Sequence, residues 1–223
     1  MLTTERAEDV LIVTLDRPER RNALTPSGLD ALEAAVTDAD APVVYLRGAG
    51  DAFCAGADLD VVADLDDPRE FAARGQVVAR AIADSESVVV AGIDGAARGG
   101  GVELALACDL RVGTPEATFA ETGVKLGLFG AWGGTARLPR VVGEGEAMDI
   151  ALSGRVVDAE AALRMGLVSR ITDAPRAVAD ELAAVDDRAL RVLKARLRDD
   201  ADQGPGDERE REAFTRLVEC AEF

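Results

Sequence analysis

Short apolar runs separated by amphipathic stretches set the layout of this chain. Val10 to Leu15 and Pro42 to Arg47 are largely apolar runs, and Val88 to Ala91 is shorter and β-branched. Runs of this length and composition predict buried strands. Leu110 to Val112 and Ala117 to Ala120 predict two more. Other apolar residues recur at helical spacing. Leu29, Leu32 and Val36 predict one buried face of a helix that starts after Thr25-Pro26 and runs to about Asp38. Thr25 suits its N-cap and Pro26 its first turn. Pro68 to Ala83 predicts a second helix and Val102 to Cys108 a third.

From near Gly134 the pattern turns mainly helical, over Glu144 to Leu152, Asp158 to Met165, Ala174 to Val185, Asp187 to Asp200 and Asp207 to Glu222. Gly204-Pro205-Gly206 is expected to separate the last two. The final helix would carry Phe214, Leu217, Val218 and Ala221 on one face, a stripe suited to core or subunit contact. Strands therefore alternate with helices in the first half and helices dominate the second, with no repeat of fixed period. This predicts an α/β fold with mainly parallel strands joined by crossovers, then a helical tail.

Composition narrows the partners. At 223 residues the chain is long enough for one substantial core. No stretch approaches the ~20 apolar residues of a membrane span. The first residues, MLTTERAED, are charged and lack an apolar signal core, so a cytoplasmic location and no membrane partner are expected. The formal net charge is −17 and Lys125 and Lys194 are the only lysines. Such a surface repels nucleic acid. Acidic and lysine-poor, it is also similar to proteins adapted to high intracellular salt.

The chain has no histidine. That removes Ser-His-Asp and Cys-His catalysis and histidine-ligated metal sites, and leaves acid–base work mainly to carboxylates. Cys54, Cys108 and Cys220 are widely spaced and read as free thiols, so no metal site is expected.

The candidate chemistry centres on Val88 to Asp109, where a buried strand leads through Gly99-Gly100-Gly101 into a helix. Glycines there let a ligand approach the main chain, and the first amides of a helix have no intrahelical acceptor. A polarised carbonyl oxygen is a suitable guest. Glu103 lies one turn on. The same residues also suit a tightly packed turn with Glu103 as a partner of the helix dipole. Gly48-Ala49-Gly50 opens a dinucleotide-type turn, but Phe53 stands where the third glycine belongs. Gly56-Ala57-Asp58 is a second small-residue turn able to present amides. Arg17, Arg20 and Arg21 form a basic cluster that could meet phosphates or simply be solvated. The glycine-rich stretch around Phe129 and Trp132 reads as a loop lining a pocket, with both rings buried.

Several motifs together resemble the crotonase superfamily, the enoyl-CoA hydratase/isomerase family. They are Arg17-Pro18 through Asn22-Ala23-Leu24, Phe53 to Leu59, Gly99 to Leu104 with Cys108-Asp109, Gly133-Gly134-Thr135 with Arg137-Leu138-Pro139, and Ala161 with Met165 to Val168. The resemblance implies a crotonase-like spiral of ββα units over 1–170 and a helical C-terminal region over 171–223 within the same domain. It implies an acyl-CoA substrate, no separate cofactor because coenzyme A is part of the substrate, and a homotrimer or dimer of trimers. The amides of Ala57 and Gly100 would hold the thioester oxygen and stabilise an enolate. Arg17, Arg21, Ala23, Leu24, Ala55, Asp58, Leu59 and Asp60 would lie along the CoA.

Glu103 matches the first catalytic glutamate of the hydratases, while Gly123 stands where the second belongs. Glu121, Gly123, Phe129 and Trp132 are the candidates for the acyl pocket. Isomerisation over hydration is the expected reaction. The alternatives are a non-catalytic acyl-CoA binder, and a decarboxylase or an enzyme similar to dihydroxynaphthoyl-CoA synthase.

Overall fold

The apolar runs become the strands of two sheets. In the computed structural model, residues 1–199 and 203–220 are described. The chain opens with β1 (Leu2–Ala7) and β2 (Val10–Leu15), an antiparallel pair, followed by α1 (Pro26–Thr37). A winding pattern then sets in. β3 (Val43–Gly48) and β4 (Ala52–Cys54) lead to α2 (Leu59–Ala63) and α3 (Pro68–Asp84). β5 (Val88–Ile93) and β6 (Ala96–Arg98) lead to α4 (Gly100–Ala107). β7 (Leu110–Gly113) and β8 (Thr118–Ala120) lead through a 3-10 turn, Thr122–Leu126, to α5 (Gly134–Val142) and α6 (Glu144–Ser153). The rest comprises β9 (Val157–Asp158), α7 (Ala159–Arg164), β10 (Arg170–Ile171), α8 (Pro175–Ala183), α9 (Asp187–Leu197) and α10 (Gln203–Cys220).

Each turn of the winding gives one strand to each sheet. The larger has the order β1-β2-β3-β5-β7-β10 and the smaller β4-β6-β8-β9. β2, β3, β5, β7 and β10 run parallel, as do β4, β6 and β8. This is the spiral of ββα units with a helical C-terminal region that the resemblance implies.

The side-chain period of a strand explains how the apolar runs are used. Val44, Leu46, Val89 and Ala91 face the main core with Leu29, Leu32, Val78 and Ile82 of α1 and α3. Val43, Tyr45, Val88 and Val90 face the opposite way, against Val178 and Ala179 of α8. A sheet covered on both faces needs continuous apolar strands, which is why these runs do not alternate. The helix starts follow capping rules. Thr25 Oγ1 accepts from the Gly28 N–H at 3.2 Å, and Asp67 accepts from the Arg69 and Glu70 amides at 2.9 and 3.0 Å, each just before a proline.

Several elements depart from expectation. β1 is polar except at its ends and exposed along its middle, so its pattern carries no strand signal. β4 and β6 are three residues long and hidden inside small-residue turns. The helix expected from Asp207 starts at Gln203, so Gly204-Pro205-Gly206 opens α10 instead of separating it from α9. A proline is tolerated there because its missing N–H has no helical acceptor to lose. On α10, Ala213 is buried while Phe214 and Val218 are exposed. The Ala221 end of that stripe lies outside the described residues.

α9 is tied to the sheet by a buried ionic cluster. Asp109, just after α4, accepts from Lys194 Nζ at 2.8 Å, from Arg198 at 2.7 Å and from the Val89 N–H at 2.7 Å. Lys194 also donates to the Ser87 carbonyl at 2.7 Å. Removing one partner of such a cluster strands a buried charge, at about 3–5 kcal/mol. Asp109→Ala is therefore expected to lower stability by about that much in urea titrations, and Lys194→Met by clearly less, because Arg198 still neutralises Asp109. Equal losses in the two variants would contradict this description.

Candidate active site

The two small-residue turns singled out in the sequence pack directly on each other. Gly56 has φ +85°, and a Cβ there would sit 2.7 Å from the Arg98 carbonyl oxygen and 2.8 Å from the Gly100 nitrogen. A Cβ on Gly101 would lie 2.2 Å from the Cys54 carbonyl oxygen. Only glycine permits this backbone-on-backbone contact between the end of β4 and the start of α4.

Its consequence is the placement of two amides. Leu24 donates to the Gly56 carbonyl and accepts from the Asp58 N–H, so it bridges the residues on either side of Ala57. In a parallel bridge the middle residue turns its own N–H away from the partner. Gly100 is the first residue of α4, where amides have no intrahelical acceptor. Ala57 and Gly100 line one cavity of about 230 Å³, together with Ala55, Leu59, Gly123 and Glu103.

Glu103 is 1% exposed. Its Oε1 accepts from the Trp132 N–H at 2.9 Å and the Gly134 N–H at 2.7 Å. Burial raises its pKa above the ordinary value; the Gly134 and Trp132 amides, then Arg137, act in the opposite direction. The anchoring turn is itself fixed by Trp132. Its ring fills the space where Cβ atoms on Gly75 and Gly100 would lie, and meets Phe71 edge-on at 5.9 Å.

A second cavity of about 330 Å³ begins on the far side of Glu103. Its walls include Leu138, Ala147, Met148 and Leu152, and Glu121 and Gly123 also line it. Glu121 is 9% exposed, and its buried Oε1 has no hydrogen-bond partner among the described residues. Burial, and then the charge of Glu103, pushes its pKa up to about 8. The site thus presents two free-facing amides, an anchored carboxylate between two cavities, and a second carboxyl group that stays protonated well above the usual range.

The enoyl-CoA hydratase/isomerase family model matches residues 5–217. The chain belongs to that family. It is similar to the crotonyl-CoA hydratase of Syntrophomonas wolfei, with 37% identity over 193 residues, 83% of this chain and 74% of that one. It is 38% identical over 218 residues to a probable enoyl-CoA hydratase of Mycobacterium tuberculosis, covering 93% of this chain and 85% of that protein. The enoyl-CoA hydratase structure from Bacillus anthracis superimposes with a TM-score of 0.92 at 30% identity, over 98% of this chain and 91% of that one.

Within this enoyl-CoA hydratase/isomerase enzyme the other expected site residues divide. Ala23 and Leu24 are buried, and Leu24 acts through its backbone as the strut behind Ala57. Arg17 and Arg20 both pair with Asp58, at 3.0 and 3.1 Å, and Arg20 also pairs with Asp60. Burial raises the Asp58 pKa, but hydrogen bonds from Arg20, Arg17 and the Asp60 amide outweigh it and hold the carboxyl below the ordinary carboxylate range. These four residues line an open groove of about 990 Å³, whereas Arg21 is exposed and does not.

Phe129 is the clear correction. Expected to be buried with Trp132, it is 73% exposed, because the 128–130 segment lies over the cavity mouths with its ring outward. Sequence reasoning placed Trp132 in the acyl pocket but did not foresee that its amide and that of Gly134 hold Glu103. The signals for them were the glycine-rich stretch around Trp132 and the Gly133-Gly134-Thr135 motif.

The raised pKa of Glu121 has a stability consequence. A carboxyl whose folded pKa lies above its unfolded value of roughly 4.3 stabilises the fold fully below that value. The contribution is lost as pH rises through about 8. Glu121→Gln is neutral throughout. The variant is expected to melt higher than the parent at pH 9, with the difference shrinking toward pH 5. A constant difference across that range would contradict the burial of an unpaired carboxyl group.

Proposed function

We propose that the protein shifts the double bond of enoyl-CoA thioesters through an enolate held by the amides of Ala57 and Gly100. The observation that carries this reading is their convergence with Glu103 on one cavity. A thioester oxygen between the two amides gains negative charge when a proton leaves C2, and preorganised donors aimed at that charge are worth roughly 10²–10³ in rate each. Glu103, anchored through Oε1, acts as the base at C2. Its near-complete burial fits proton abstraction better than the alternative of a non-catalytic CoA binder, which needs no carboxylate in a closed site.

The choice of isomerisation over hydration rests on Gly123. Hydration activates a water at C3 and delivers a proton to C2, work suited to two carboxylates flanking those carbons. Position 123 carries no acid. A 1,3 proton shift requires no water, and the same amide pair stabilises its dienolate.

The CoA moiety is proposed to lie along the Arg17–Asp60 groove, with Arg17 and Arg20 toward its phosphates. That groove holds seven carboxylates, among them Asp64, Asp66, Asp67 and Glu70, against the three guanidinium groups of Arg17, Arg20 and Arg74. Together with the net charge of −17, this supports operation at high salt, where such repulsion is screened. Assembly into trimers, with the exposed Leu152, Val156 and Leu163 at contacts between copies, belongs to the same reading.

Assays with 3-enoyl-CoA and 2-enoyl-CoA test the reaction. Isomerisation is expected to exceed hydration, and Glu103→Gln to lower isomerisation by roughly 10²–10⁴-fold. Gly123→Glu is expected to raise hydration more than isomerisation. A Cβ there lies 3.2 Å from Leu128 O and Phe129 Cα, so the exposed loop must yield by a few tenths of an ångström. Undiminished isomerisation in Glu103→Gln would sink the assignment. Calorimetry adds a second check: affinity for a saturated acyl-CoA, and the melting temperature, should both rise from low to molar KCl. Values that fall with salt would contradict the screening argument.

A further inference from the structure

The buried Oε1 of Glu121, without a hydrogen-bond partner among the described residues, has no structural explanation. An unmet polar atom in a mostly apolar wall destabilises the fold, and a leucine would fill the same space without that penalty. The nearby backbone offers no compensation to Oε1. A group kept in so unfavourable a place, in a cavity and beside a second carboxylate, is a candidate for function.

Its position specifies the function. The Ala57 and Gly100 amides line the 230 Å³ cavity, and Glu121 lines only the 330 Å³ one. Glu103 lines both. An acyl chain with its thioester oxygen on the amides therefore passes Glu103 first and Glu121 afterwards. Glu103 meets the carbon next to the carbonyl, and Glu121 meets carbons farther along.

We propose that Glu121 is a second catalytic acid, which delivers a proton to C4 of the dienolate that Glu103 generates. The proposal rests on the isomerase reading above and deepens it. In the first half, the Glu103 carboxylate takes a proton from C2, and the C–H electron pair passes into a dienolate with its charge on the thioester oxygen. In the second half, the Glu121 carboxyl proton bonds to C4. The C3–C4 double bond becomes C2–C3, the oxygen returns to a carbonyl, and Glu121 is left as a carboxylate. After the product leaves, Glu103 gives the proton it took to water and Glu121 takes one from water, which restores the starting state. The raised pKa of Glu121 fits this duty, since the donor must hold its proton at neutral pH. Glu103 on α4 and Glu144 on α6 are the ionisable side chains that share the cavity wall with Glu121.

The test uses trans-3-hexenoyl-CoA carrying deuterium at C2, turned over in ordinary water by the full-length protein and by Glu121→Gln. Two donors predict that wild-type product carries no deuterium at C4, and that the variant's kcat falls roughly 10²-fold with KM within about threefold. Deuterium at C4 in the wild-type product overturns the proposal, because it shows Glu103 moving the proton alone. A fall in kcat of less than tenfold also overturns it. The label pattern is read on the wild-type enzyme, so it stands even if the variant folds poorly. Absence of any wild-type turnover on 3-enoyl-CoA instead overturns the isomerase reading itself, and this proposal with it.

Discussion

The contact of two backbone segments without side chains between them governs this site. Gly56 lies against the Arg98 carbonyl and the Gly100 nitrogen, and Gly101 lies against the Cys54 carbonyl. Because these strands and helices meet main chain to main chain, Ala57 and Gly100 face one small cavity. The parallel sheets supply the rigidity. β3 and β5 are buried on both faces, and β4 and β6 continue from them into the smaller sheet. A methyl group at either glycine would separate the turns by more than hydrogen-bond tolerances allow.

Around this contact the protein spends its polar groups unevenly. Glu103 is buried but anchored by two amides, a combination that fixes its direction while leaving the carboxylate available. Glu121 is buried with an oxygen unanchored. The groove above is crowded with charge, most of it acidic, and its arginines are already paired with Asp58, Asp60, Asp30 and Glu70. Trp132 connects these features. Its ring wedges between α3 and α4, and its amide holds Glu103, so packing and chemistry share one residue.

Much of this was legible in the sequence. The strands around Val10, Pro42 and Val88 and the helices from Pro26 and Pro68 follow from apolar runs and capping residues. The glycine turns at Gly56 and Gly99 announced exposed amides, and the motifs together pointed to the family. What stayed hidden has physical reasons. β4 and β6 are too short for any periodicity, and β1 is held by pairing with β2, not by burial of its own side chains. Phe129 was expected to be buried because aromatic rings usually are, but its loop closes over a cavity with the ring outward. The isolation of Glu121 depends on what fails to approach it in space, which no spacing along the chain encodes.

The proposed chemistry of this site turns on whether the Ala57 and Gly100 amides polarise a thioester oxygen. Infrared difference spectroscopy of bound butyryl-CoA, labelled with ¹³C at the carbonyl, reads that polarisation without turnover. With both amides on the oxygen, the carbonyl stretch is expected at lower frequency than in free butyryl-CoA in water. A bound ligand whose carbonyl band stays at its aqueous position would contradict that expectation.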